Sequence, residues 1–70
     1  MPYITIKTLE KEESVKKATA MKVAEVFGEM WGCGKEHVSV SIIEDDLEAI
    51  KAEVAANLDS VYVRRGELVK

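Results

Sequence analysis

Two alternating apolar runs separated by one long helical pattern constrain this chain more than anything else in it. Tyr3 to Thr8 is rich in β-branched and aromatic residues and puts Ile4 and Ile6 on one face, with Tyr3, Thr5 and Lys7 on the other. Val38 to Ile43 repeats the alternation, with Val38, Val40 and Ile42 facing one way. Between them, Ala20, Val23, Ala24, Phe27, Met30 and Trp31 recur at steps of three and four, while Lys16, Lys17, Lys22, Glu25 and Glu29 mostly fall opposite. A strand, a helix long enough for a crossover and a second strand form a βαβ unit. Its strands are expected to lie parallel with a right-handed connection.

Local signals set the boundaries. Glu10 to Glu13 is an acidic approach suited to the positive end of a helix dipole, so the helix is expected to start between residues 11 and 14, with Ser14 as the candidate cap. Gly32-Cys33-Gly34 ends it, because glycine takes the positive φ that closes a helix. Asp45-Asp46-Leu47-Glu48 reads as a reciprocal cap of a second, short helix whose apolar stripe is Leu47, Ile50, Val54 and Leu58. Asn57 to Ser60 breaks that helix, Val61-Tyr62-Val63 resumes β character, and Arg64-Arg65-Gly66 turns. The expected class is α/β (α+β), a single domain over residues 1–70.

Such a chain does not close a core alone. Seventy residues bury only about 60% of the unfolded surface. Two strands and one helix also leave one sheet face bare, so a homo-oligomer is expected. The net charge of -3, with lysines spread among acids, argues against nucleic acid as a partner. No apolar run approaches the roughly 20 residues of a bilayer span, so no membrane partner is expected. Cys33 is alone and forms no internal disulfide, and Met-Pro-Tyr-Ile-Thr-Ile lacks the pattern of a secretory leader, so the cytoplasm is the expected location. Glu44, Asp45, Asp46 and Glu48 lack the glycine-centred spacing of a calcium loop, Cys33 has no CxxC partner, and His37 reads as an exposed turn residue. Neither a metal nor a cofactor is expected.

Pro2 is the residue with chemistry in reach. Removal of Met1, expected ahead of a small second residue, leaves a secondary amine, and an apolar pocket that lowers its pKa toward neutrality makes that amine a base or nucleophile. Three further stretches accompany it. They are the opening Pro2-Tyr-Ile-Thr-Ile-Lys-Thr-Leu-Glu, the central Cys33-Gly-Lys-Glu-His-Val-Ser-Val-Ser-Ile-Ile-Glu, and the closing Tyr62-Val-Arg-Arg-Gly. Together with the intervening helix they resemble the 4-oxalocrotonate tautomerase family across nearly the whole chain. The long segment between Glu44 and Tyr62 is most similar to the PptA-like branch, whose members are dimers.

The resemblance implies an isomerase in which Pro2 is the general base of a cofactor-independent keto-enol tautomerisation. A dimer is favoured over a hexamer built as a trimer of dimers. Tyr62 matches the aromatic residue that walls the family's site. The family's two substrate-binding arginines fall on Glu12 and Ser39, neither of which offers a bidentate cation, so a dicarboxylate substrate is not expected. Ser39 is a candidate donor to the developing enolate, Arg64 and Arg65 are candidate replacement cations, and Lys7 is a weaker one. With Glu12 placed at the mouth, monoanionic or aromatic 2-oxo acids of the phenylpyruvate type are expected over dianions. Two other readings stay open: an oligomeric binding module that keeps the fold without the chemistry, and a proline-dependent hydratase or decarboxylase.

Overall fold

A computed structural model describes the chain from Met1 to Lys70. Its elements run β1 (Tyr3–Thr8), α1 (Glu13–Trp31), a 3₁₀ turn at Lys35–His37, β2 (Ser39–Glu44), α2 (Leu47–Ala56), a second 3₁₀ turn at Leu58–Ser60, then β3 (Val63–Arg64) and β4 (Glu67–Leu68). β1 and β2 pair in parallel, from Tyr3 opposite Ser39 to Thr8 opposite Glu44. With α1 between them they form the expected βαβ unit. β2 begins one residue later than its pattern suggested, because the Val38 N–H closes the preceding turn on the Lys35 carbonyl at 3.0 Å and is lost to the ladder.

α1 starts inside the expected window, but its cap is a correction. Glu12 holds the cap position through its backbone carbonyl, which accepts the N–H groups of Val15 and Lys16, both at 3.1 Å, while Ser14 lies inside the first turn. At the other end Gly32 takes φ 70°, and the Cys33 and Gly34 N–H groups fold back onto the Gly28 carbonyl at 3.1 and 3.3 Å. That return requires glycine at position 28, where a Cβ would stand 2.7 Å from both the Gly34 carbonyl carbon and the Lys35 nitrogen. The chain is thereby laid against the helix and delivered to the start of β2.

Ile4, Ile6, Val40 and Ile42 are half-buried on the sheet face that meets Ala20 and Ala24 of α1. Only Ala24 and Gly28 are buried. The opposite face is not bare, contrary to expectation. α2 crosses it over β1, where Thr5 and Lys7 share a groove with Ile50 and Val54, and Lys7 Nζ donates to both carboxylate oxygens of Glu53 at 2.5 and 2.6 Å. The cap of α2 is also simpler than expected. Asp46 Oδ1 accepts the Ala49 N–H at 2.8 Å, and Glu48 takes no part.

The closing β segment is a hairpin rather than one strand. Val63 pairs with Leu68 and Arg64 with Glu67 in antiparallel register. Arg65 (φ 53°) and Gly66 (φ 78°) both take left-handed backbone, the type I′ turn whose twist suits a two-residue hairpin loop. Arg64 therefore belongs to a strand and not to the turn. The hairpin has no extensive packing against the rest of the chain. No helix is long and apolar enough to cross a membrane.

Candidate active site

Because α1 runs back along the strands, the N-terminal end of the sheet collects Pro2, Tyr3 and Ser39 beside the last turn of the helix. Pro2 is half-buried, and its carbonyl accepts the Ser39 N–H at 3.1 Å, which fixes the proline at the head of the ladder. Met1 is 97% exposed. Parallel register places Ser39 directly opposite Tyr3, on the face away from α1.

That face holds a pair of residues that sequence reasoning missed. Tyr3 Oη and Ser41 Oγ are 2.6 Å apart. The Ser41 hydrogen bond, and secondarily one from Thr5, holds the Tyr3 phenol below its ordinary pKa. The signal for this pair was present in the alternation, since Tyr3, Ser39 and Ser41 all occupy the same side of their strands, but pairing them required the register. This face carries the hydroxyls of Tyr3, Ser39 and Ser41, whereas Pro2 falls with Ile4 and Ile6 in the alternation of β1.

The other expected residues stand apart. Glu12 precedes α1 at the C-terminal end of the strands, on the order of 20 Å of extended chain from Pro2, so within one chain it does not line the mouth. Lys7 is committed to Glu53. Tyr62, Arg64 and Arg65 lie on or beside the hairpin, and no hydrogen bond or ion pair joins them to Pro2 or Ser39. Tyr62 is 62% exposed, accepts the Val69 N–H on its carbonyl at 2.8 Å, and has Lys70 Nζ 5.0 Å from its ring centre. Arg64 and Arg65 make no ion pair. His37 Nε2 lies 3.8 Å from Glu36 Oε2 in the turn before β2. No three metal-binding side chains converge anywhere in the chain.

No family model, curated protein or solved structure matches this chain.

Proposed function

We propose that this chain is a cofactor-independent keto-enol tautomerase whose base is the Pro2 amine. The observation that carries the reading is the anchoring of Pro2 at the head of β1 by the Ser39 N–H, with Ser39 and the Tyr3–Ser41 hydroxyl pair on the adjoining face. In the direction from enol to ketone, the proline nitrogen takes the enol hydroxyl proton, the hydroxyl donors hold the resulting enolate, and the protonated proline returns a proton to the neighbouring carbon. No net change in oxidation or charge results. With no arginine beside Pro2, a small monoanionic 2-oxo acid or its enol suits the site better than a dianion.

The reading includes a homo-oligomer, with a dimer favoured, in which the unpacked hairpin brings Tyr62, Arg64 and Arg65 to the site of a second copy. The near absence of fully buried side chains supports association. Expected results are an intact mass lacking Met1 and ketonisation of phenylpyruvate enol that falls by about 10²-fold or more in Pro2→Ala. A retained Met1, or equal rates for the two proteins, sinks the catalytic reading. A binding module without chemistry is the second reading, favoured by the lack of any cation against Pro2 or Ser39. It predicts no turnover in the wild type.

A further inference from the structure

α1 outruns the sheet beneath it. Ala24 lines a groove with Val38 and Val40, and Val40 stands opposite Ile4 in the parallel register, so Ala24 is level with the first residues of β1. Phe27 and Trp31 lie three and seven residues further on, about 4.5 and 10 Å along the helix axis. At about 100° per residue they fall within roughly 60° and 20° of Ala24, on the half of the helix that looks toward the sheet. Trp31 is nevertheless 69% exposed, because no sheet lies under it. The two residues thus overhang the head of β1, where the chain leads back from Ile4 to Pro2. Pro2 shares the α1 side of the strand with Ile4 and Ile6, so the proline and the overhang belong to one face.

The overhang is a stacked aromatic pair. The Phe27 and Trp31 ring centroids are 4.2 Å apart with their planes 16° from parallel. Phe27 is half-buried and backs the pair, which leaves an outer face of Trp31 for a third ring. The surrounding charge selects what can lie there. Ring faces carry the negative side of the aromatic quadrupole, the last carbonyls of α1 form the negative end of its dipole, and the last turn holds Glu29 and no basic residue. Each of these repels a carboxylate and tolerates a neutral ring. A substrate with both groups would place its ring under the helix end and its acid and enol toward the strand.

We propose that the Phe27–Trp31 pair is a binding subsite for an uncharged aromatic ring, and that the substrate it serves is an arylpyruvate enol with its ring on Trp31 and its enol at Pro2. The second half rests on the tautomerase reading above. The ring site itself does not depend on Pro2 chemistry.

Trp31 is the only tryptophan, so its emission reads the site directly. The probe is 3-phenylpropanoate, which keeps the ring and the carboxylate but has no carbonyl to react. It should quench and blue-shift the emission of the full chain, whereas propanoate should leave it unchanged. In turnover, the ratio of kcat/KM for phenylpyruvate enol to that for pyruvate enol should fall about tenfold in Trp31→Ala, and Trp31→Phe should restore most of it. Pro2→Ala should lose turnover and keep the quench. The binding arm uses the wild type, so it decides even if Trp31→Ala unfolds. No quench by 3-phenylpropanoate overturns the proposal, as does a ratio that Trp31→Ala leaves where it was. Quenching by tetramethylammonium instead, or emission that follows protein concentration and ignores the probe, overturns it by giving the pair to a cation or to a second copy. A wild type that binds the probe at Trp31 and turns over neither enol keeps the ring site and sinks the tautomerase reading.

Discussion

The two ends of the β1–β2 pair solve opposite problems. At the C-terminal end, Glu44 accepts the Lys11 N–H at 3.0 Å and faces Lys16 Nζ at 3.1 Å, while Lys16 also reaches Glu13 at 3.3 Å. One carboxylate thus ties β2 to the entry and the first turn of α1. At the N-terminal end the outer face carries hydroxyls instead; the nearby Lys35–Glu25 ion pair is longer at 3.7 Å, and His37 Nε2 stands 3.8 Å from Glu36. If Pro2 is the base proposed above, the contrast teaches where such a base can be housed. A carboxylate as close to Pro2 as Glu44 is to Lys16 would favour the ammonium and remove the free amine, so the charges that organise the fold belong at the other end.

If the N-terminal end lacks strong ionic ties, backbone packing must hold it, and Gly28→Ala tests this with the largest expected loss of stability. The added methyl would meet Gly34 and Lys35 backbone at 2.7 Å, and backbone cannot swing aside as a flexible side chain can. Overpacking of this kind costs about 1–3 kcal/mol. A melting temperature lower by several degrees is expected. An unchanged melt would mean that the Gly32–Gly34 return is not what delivers β2 to Pro2.

The C-terminal end should reveal itself through pH. Lys11 and then Lys16 hold the Glu44 carboxyl below its ordinary value of 4.5, so its contribution to stability is present above that value and is lost as pH falls through the lowered folded pKa. Glu44, followed by Glu13, raises Lys16 above 10.5, so the same contact persists below that value and is lost as pH rises through the raised folded pKa. Glu44→Gln should therefore be less stable than wild type at neutral pH and should converge with it in acid, as read by urea midpoints across a pH series. A constant gap between the two proteins down to the lowest pH would remove Glu44 as the clasp.

How much of this was legible in the sequence differs between the ends in the same way. The βαβ frame was readable because periodicity changes from two to 3.6 and back, whereas Pro2 was singled out by its place after Met1 and Ser39 by the family likeness. The Glu12 cap, the Lys7–Glu53 pair and the Glu44 clasp were not readable, since each joins residues on different elements or uses only backbone. The hairpin escaped because strands of two residues are too short for alternation to show, and Arg65 adopts a left-handed conformation that glycine usually signals. The two arginines assigned to the site on family likeness thus rest on a piece of chain whose structure the pattern did not display.

The smallest effect expected is a titration at the hydroxyl-rich end, and it tests whether that end is organised or merely polar. The chain has two tyrosines, so Tyr62→Phe leaves Tyr3 as the only phenol to follow by ultraviolet absorbance. Its midpoint should lie below 10.0, because Ser41 and then Thr5 hydrogen-bond the phenolate. Adding Ser41→Ala should move the midpoint back up by removing the larger cause, while leaving the fold unchanged by circular dichroism. A midpoint insensitive to Ser41 would mean that the 2.6 Å contact does not persist in solution. On the proposed tautomerase reading, the enolate donors would then have to come from Ser39, the backbone and the second copy.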